Sequence, residues 1–452
     1  MRVAVVGAGH VGLVTAACLA EKGHRAICVD VDEERVRAIE AGRTTIYEPG
    51  LDELVRRNAK DRLRATTDLR GAVRASELSL LAVPVPLERG EDEAVATLRT
   101  VAREVGEALA GRPEFHAVVV RSTVLPGTTT NVVRPLVVDA AGADVGVAMN
   151  PEFLTEGQAV ADFMRPDRIV LGTEDARTLE LLERLYADFG GARVRTTPTT
   201  AETIKLASNV LLATMISFAN ELADYATELE DVDVADVTRA VHLSRYLTVE
   251  GGRPGATTAP LASYIEAGCG FGGSCLPKDL AALAHHARRL GAPMELLEAV
   301  ERVNKGRAAG LVALIRGGLG NLEGARVSVL GLAFKPDTDD VRESPAFPVV
   351  ERLLAEGADL RVYDPVATEA FLDACPSPAP AAAATLADAL DADAVVIVTR
   401  WSEFAEIPQL LRARQAAPLV VDGRRMLDPH AVPRYAGIGL GRRVAGAVDV
   451  AH

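Results

Sequence analysis

The segment Gly270-Phe271-Gly272-Gly273-Ser274-Cys275-Leu276-Pro277-Lys278-Asp279 concentrates more chemistry than any other stretch of the chain. Three glycines in four positions let the backbone come close to a ligand. A cysteine follows, with an aspartate four residues on. If a helix begins near here, that spacing puts Cys275 and Asp279 on one face. A thiolate can attack an aldehyde to give a thiohemiacetal, and oxidation of that adduct gives a thioester. Asp279 could then help water hydrolyse the thioester. A cysteine taken alone is more often a small buried hydrophobe, and Cys18, Cys28, Cys269 and Cys375 are read that way.

The N-terminus supplies a partner for that chemistry. Gly7-Ala8-Gly9-His10-Val11-Gly12 follows an apolar run and opens a helical one. Its glycines permit a tight turn and close backbone approach, and a helix N-terminus there attracts a pyrophosphate. Asp30 stands 18 residues after Gly12, at the end of the second strand. An acid there can bond both ribose hydroxyls and repels a 2′-phosphate, so NAD is expected rather than NADP.

Elements must hold these residues. The spacing predicts strands at 3–6, 26–29, 78–83, 117–120 and 145–149, with helices at 11–22 and 33–41. That alternation reads as a doubly wound parallel sheet. Thr199-x-x-Glu202 has the spacing of a capping box, opening a helix free of Gly and Pro to about residue 230. A second α/β unit has strands at 327–330, 360–363, 394–399 and 418–421, with a Pro/Ala-rich surface loop at 376–384. It does not repeat the glycine fingerprint. The fold expected is α/β: two Rossmann-like doubly wound domains joined by a long central helix and a helical middle domain. Boundaries are expected at 1–198, 199–316 and 317–452.

The bulk composition fits. At 452 residues, with 48% hydrophobic and 25% charged, the chain is globular and too long for a single core. Its five scattered cysteines, without a C-x-x-C pair, make neither a disulfide framework nor a zinc site, which points to a reducing compartment. A net charge of −14 argues against a nucleic-acid partner. The apolar start is broken by Gly7, Gly9, His10 and Gly12 and closes at Glu21-Lys22 without a cleavage site, unlike a signal peptide. No run of about 18 uninterrupted apolar residues predicts a membrane span.

The cysteine loop closely resembles that of the UDP-glucose/GDP-mannose dehydrogenase family. Further segments resemble family motifs in the same order: Glu48-Pro49-Gly50-Leu51, Ser122-Thr123-Val124-Leu125-Pro126-Gly127-Thr128, and Asn150-Pro151-Glu152-Phe153-Leu154-Thr155-Glu156-Gly157. Ile204-Lys205 through Asn209, Gly331-Leu332-Ala333-Phe334-Lys335-Pro336, Thr338 to Pro345, Tyr363-Asp364-Pro365 and Asp422-Gly423-Arg424-Arg425 follow. The resemblance implies Cys275 as nucleophile. It implies Lys205 and Asn209 at the reacting C6 oxygen, Asp279 with Thr123 holding a water, and Glu152 as a further acid/base. For NAD it adds Arg35, Val83, Thr123, Glu156, Lys278 and Arg342 to the glycine turn with His10 and Val11. For the nucleotide sugar it implies Glu152, Phe153, Leu154, Lys205, Asn209, Phe271, Gly272, Phe334, Lys335 and Arg424.

Three departures stand out. His10 replaces the usual Tyr. Val85 replaces a Thr between Pro84 and Pro86. The segment 242–268 is longer than the family's Asp-x-Arg-Ile-Gly element, with Arg245 and Arg253 as candidate substitutes for its arginine. The implied activity is the four-electron oxidation of UDP-glucose to UDP-glucuronate, with GDP-mannose oxidation as the alternative. A single-step hydroxyacid dehydrogenase would need no thiol, and an NAD-sensing module would need no Lys205, Asn209, Cys275 and Asp279 set. A cytoplasmic homodimer, paired through the long helix and not membrane-bound, completes the expectation.

Overall fold

Runs such as Val3-Ala4-Val5-Val6 and Ala117-Val118-Val119-Val120 are apolar on both faces, as strands covered by helices on both sides require. The computed structural model describes residues 1–87, 91–142, 144–250, 256–375, 379–412, 414 and 416–441. Arg253 and residues 376–378 of the Pro/Ala-rich loop lie outside them. The chain divides into two compact units, Met1–Ser208 and Asn209–His452.

The first unit is built on an eight-stranded sheet. Its strands are β1 (Arg2–Val6), β2 (Arg25–Val29), β3 (Leu63–Thr66), β4 (Leu78–Leu81), β5 (His116–Val120), β6 (Val145–Met149), β7 (Arg168–Gly172) and β8 (Ala192–Thr196). The order is β3-β2-β1-β4-β5-β6-β7-β8. Every pairing is parallel except β6 with β7, which meet antiparallel at Met149 and Gly172. The sequence pattern did not reveal β3, β7 and β8. β3 is four residues long, and Arg193 and Arg195 break the apolar run of β8. The fourth strand stops at Leu81 rather than 83, since Pro84 and Pro86 ahead of it have no N–H to donate to a ladder.

The second unit contains the helices Val234–His242, Leu276–Arg289 and Glu295–Leu319 and a small antiparallel pair, β9 (Thr248–Glu250) and β10 (Ala256–Thr258). Its six-stranded sheet comprises β11 (Arg326–Leu330), β12 (Asp359–Tyr363), β13 (Ala381–Ala382), β14 (Ala394–Ile397), β15 (Leu419–Asp422) and β16 (Tyr435–Gly437). All its pairings are parallel, in the order β13-β12-β11-β14-β15-β16. Around β1 and around β11 the strands thus follow one Rossmann-like plan. Part of the expected Pro/Ala loop is the edge strand β13.

The helix Pro198–Glu228 contains the boundary between the units. By length and composition it could cross a bilayer, with a mean hydropathy of 1.3 over 18 residues. It also carries buried Glu202, Lys205 and Asn220, and packs Leu206, Val210, Ala213 and Ala223 into the protein interior. Its start corrects the capping-box reading. Pro198 takes the first helical position and Thr197 Oγ1 accepts from the Thr200 N–H at 3.2 Å. Glu202 is thereby released for another role, described below.

Strand β5 carries a buried titratable ring. His116, on β5, is 1% exposed. Arg112 Nη1 lies 3.2 Å from its Nδ1, and a guanidinium only donates. Nδ1 is therefore the acceptor, and Nε2 carries the proton toward Ser79 Oγ at 2.9 Å. Burial, followed by the Arg112 charge, pushes the ring's pKa down from 6.5 to about 3. The unfolded chain takes up a proton below pH 6.5 that the folded chain refuses. Stability from this ring is therefore complete above pH 6.5 and falls by about 1.4 kcal/mol per pH unit below it, down to the folded pKa. Urea unfolding of the wild type and His116→Gln at pH 7.0 and 5.0 should show a smaller acid loss in the variant.

Candidate functional site

In the first unit the glycine turn joins β1 to the helix His10–Glu21, with Gly9 at the N-cap. Gly12 is required by close approach, because a Cβ there would lie 1.8 Å from the Gly7 carbonyl oxygen. A Cβ on Gly9 would meet no atom within 4 Å, so the helix N-terminus opens onto free space where a pyrophosphate fits. Asp30, at the end of β2, accepts from Ala8 N at 2.7 Å, Asp32 N at 3.0 Å and Arg35 Nη1 at 3.1 Å. The carboxylate thus braces the turn and keeps one acceptor position, on Oδ1, for a ribose hydroxyl. Gly7, Gly9, His10, Val11, Gly12, Asp30 and Arg35 form one cluster that fits a dinucleotide.

A second group lies at the carboxyl ends of β4 and β5. Ser122 Oγ donates to Val83 O at 2.6 Å, tying the Pro84-Val85-Pro86 segment to the loop that carries Thr123. Arg121, just before it, is 4% exposed and bonds Thr15 Oγ1, the Asn150 side chain and Tyr186 Oη. Further along this loop, Glu202 accepts from Gly127 N at 2.5 Å and Thr129 N at 2.7 Å. Burial raises the pKa of Glu202 against those bonds. Neither Arg121 nor the role of Glu202 was legible in the sequence. A charged residue closing the apolar run of β5 was the one available signal for Arg121.

The third group is the pair Glu152 and Lys205, 3.0 Å apart and both buried. Burial would raise the Glu152 carboxyl, but the Lys205 charge and the Leu154 N–H at 2.6 Å hold it below the usual carboxylate range. Lys205 Nζ lies 5.6 Å from the Phe153 ring centroid, and Arg168 stacks on the same ring at 3.9 Å. Leu154 packs at the edge of the core, with Glu156 two residues on.

In the second unit Cys275 sits at the N-cap of the helix Leu276–Arg289, and Asp279 N donates to its carbonyl at 2.9 Å. The expected one-turn relation of Cys275 and Asp279 is present. Cys275 is exposed, whereas Cys18, Cys28 and Cys269 are buried. Burial pushes Cys18 and Cys28 up to about 12 and Cys269 up to about 11, and a raised thiol is a poor nucleophile. Asp279 is 1% exposed, and its two oxygens take Asn209 Nδ2 at 2.6 Å and Lys278 Nζ at 2.9 Å. The loop before the cysteine is equally constrained. Phe271 exchanges two hydrogen bonds with the Asn304 side chain. Gly273 N donates to Arg342 O at 3.0 Å, and at φ +80° a Cβ on Gly273 would lie 2.7 Å from the Phe334 ring. A Cβ on Gly272 would come closer still, 2.1 Å from the Glu343 carbonyl oxygen.

The sheet of this unit extends the site. Arg424, after β15, donates to Val398 O at 2.5 Å and to Gly270 O at 3.4 Å, joining the carboxyl edge of the sheet to the cysteine loop. Lys335 stands beside Phe334 after β11, and Arg342 chelates Asp340. A cavity of about 640 Å³ lies along this edge, lined by Glu266, Pro336, Arg400, Trp401 and Met426 among others. That edge is where parallel sheets of this order bind nucleotides. Arg245 is exposed and makes no part of these clusters. Among the described residues no group of His, Cys, Asp and Glu could hold a metal ion.

Residues 1–190 match the NAD binding domain of the UDP-glucose/GDP-mannose dehydrogenase family, 199–306 its central domain and 328–429 its UDP binding domain. A UDP-glucose 6-dehydrogenase of Haloferax volcanii is 41% identical over 94% of this chain and 97% of its own length. The chain belongs to the UDP-glucose/GDP-mannose dehydrogenase family. A GDP-mannose 6-dehydrogenase of Pseudomonas putida is 38% identical over 80% of this chain and 81% of its own. A solved UDP-glucose dehydrogenase from Pyrobaculum islandicum superposes with a TM-score of 0.87 at 38% identity, covering 97% of each chain. The first cluster falls in the NAD binding domain match, Lys335 and Arg424 fall in the UDP binding domain match, and the cavity is lined from both the central-domain match, through Glu266, and the UDP binding domain match.

Glu202→Ala should leave the buried amides of Gly127 and Thr129 without acceptors, at roughly 3 kcal/mol for the two. The urea midpoint of the first unit is expected to fall accordingly, and an unchanged midpoint would show that solvent replaces the carboxylate.

Proposed function

We propose that the chain catalyses the NAD-dependent four-electron oxidation of UDP-glucose to UDP-glucuronate. The observation that carries this reading is an exposed Cys275 one helical turn before a buried Asp279 that Asn209 and Lys278 both hold. When bound, NAD accepts a hydride from the sugar C6 in each of two oxidation steps. The NAD contacts we assign are the glycine turn with His10 and Val11, then Asp30, Arg35, Val83, Thr123, Glu156, Lys278 and Arg342.

In the first oxidation the C6 hydroxyl loses its proton to solvent through the Glu152–Lys205 pair, and the Lys205 ammonium stabilises the developing alkoxide. The Cys275 thiolate then adds to the aldehyde carbon, and Lys205 and Asn209 receive the charge on its oxygen. A second oxidation leaves the C6 carbonyl bonded to sulfur. Asp279, with Thr123, orients a water that attacks this thioester. The carbon–sulfur bond breaks, the carboxylate product leaves, the Cys275 thiol is regenerated and one proton passes to solvent. Lys335 and Arg424 hold the diphosphate, and Phe153, Leu154, Phe271, Gly272 and Phe334 enclose the sugar and its nucleotide. We place these roles in segments 1–198, 199–316 and 317–452. GDP-mannose oxidation by the same residues is the second reading, favoured by the similarity to GDP-mannose 6-dehydrogenases over 80% of the chain.

The test is the amount of NADH formed per nucleotide sugar consumed, with both sugars in parallel. Two per UDP-glucose, with little turnover of GDP-mannose, is expected. The reverse preference would overturn the substrate, and one NADH per sugar would overturn the cysteine mechanism. Cys275→Ser should lower acid formation by about 1000-fold or more, as removal of a covalent nucleophile does elsewhere.

We also propose a cytoplasmic homodimer. Leu211, Phe218 and Tyr225 are each more than half exposed and recur every seven residues along the helix Pro198–Glu228. Such a stripe fits a helix–helix seam with a second copy. Phe218→Glu should shift sedimentation from dimer to monomer, and a wild-type monomer at micromolar concentration would refute the seam.

A further inference from the structure

Glu48 opens one of the family-like motifs, and none of the roles above uses it. Its side chain is fully buried, an unusual place for a carboxylate. Three donors converge on it. His10 Nε2 lies 2.8 Å from Oε2, Gly157 N donates to Oε2 at 2.8 Å, and Ala159 N donates to Oε1 at 2.8 Å. His10 is the first residue of the helix His10–Glu21, reached here through its ring, and Ala159 opens the short helix Ala159–Met164, reached through its backbone N–H. Burial alone would raise its pKa, yet these donors hold it below the usual carboxylate range. It is an anion whose water contacts are replaced by three protein donors.

The two segments that meet at Glu48 are both cofactor segments. His10 is the fourth residue of the glycine turn, and Gly157 follows Glu156 directly. They are separated by 147 residues and arrive from the carboxyl ends of β1 and β6. Because Gly157 has φ +81°, its amide can turn inward to the carboxylate, leaving the neighbouring Glu156 to be aimed by the same turn.

We propose that Glu48 is the positioning residue of the NAD-binding domain: one buried carboxylate that fixes the separation between the glycine turn, through His10, and the Glu156 loop, through Gly157 and Ala159. Its effect is on dinucleotide affinity, exerted through residues that touch the cofactor. His10 then serves as a hydrogen-bond donor to Glu48, a part that the phenol of a Tyr at this position could also perform. This inference rests on the NAD-binding assignment of the first unit and not on the identity of the sugar.

The test measures NADH binding directly, by fluorescence titration of the full chain without nucleotide sugar, so that a wrong substrate assignment cannot affect it. Glu48→Gln presents an amide that cannot accept at both ends. It should weaken NADH about tenfold, the equivalent of one lost charge-assisted hydrogen bond. Hydrogen exchange in peptides spanning 155–160 should quicken in that variant, while the KM for the nucleotide sugar stays within about twofold of wild type. His10→Ala should weaken NADH about threefold, and His10→Tyr should restore it. If Glu48→Gln does not fold, the two His10 variants carry the test. Unchanged NADH affinity in Glu48→Gln or in His10→Ala overturns the proposal. So does a His10→Tyr as weak as His10→Ala, which would mean that the imidazole itself is needed at the cofactor.

Discussion

In a parallel sheet every strand ends in a loop on the same edge, and each loop leaves backbone N–H groups without a ladder partner. An unpaired buried N–H costs about 1–3 kcal/mol, so a loop there cannot be both irregular and dry unless something accepts its amides. This chain answers with buried carboxylates. Glu48 accepts from Gly157 and Ala159, and Glu202 from Gly127 and Thr129. Asp364 accepts from Leu332, Ala333, Val366 and Ala367, and Asp422 from Arg424 and Leu427. The loops that carry His10, Thr123, Glu156, Phe334 and Arg424 owe their shapes to these anions.

The same constraint unifies the two sheets. Gly7 N donates to Val29 O, and Gly331 N donates to Tyr363 O, so in each unit the turn after the central strand is bonded to the strand beside it. Asp30 and Asp364 then occupy equivalent places at the ends of β2 and β12, each taking backbone N–H groups of that turn. The glycine fingerprint is present only in the first unit, yet the supporting device is present in both. Free space above Gly9 suits a pyrophosphate in the first, and cations at Lys335 and Arg424 suit a diphosphate in the second.

The cysteine loop obeys a different logic. Its glycines are fixed by contact, with Gly272 against the Glu343 carbonyl and Gly273 against the Phe334 ring. The loop is thereby moulded on the segment 334–343, and Cys275 emerges from it at the start of a helix. Cys269, six residues earlier, donates instead to the Gly423 carbonyl at 3.2 Å and is sealed away. Two thiols on one loop have opposite fates because one precedes the moulded turn and the other ends it.

The sequence by itself determined whatever depends on neighbours along the chain. The Gly7 to Gly12 turn, the Cys275 and Asp279 spacing and the alternation of strands and helices are set by residues within a turn or two of each other, so their patterns were legible. Tertiary structure alone decided the uses of Glu48, Glu202 and His116. Glu202 had the local spacing of a capping box, but Pro198 moved the helix start and its carboxylate went to amides about 75 residues away in sequence. His116 lies in an apolar run; burial first and then the Arg112 charge keep its ring neutral, and Arg112 and Ser79 beside it fix its tautomer. A buried charge takes its meaning from the donors that replace water, and those donors are brought together by the fold rather than by the order of residues.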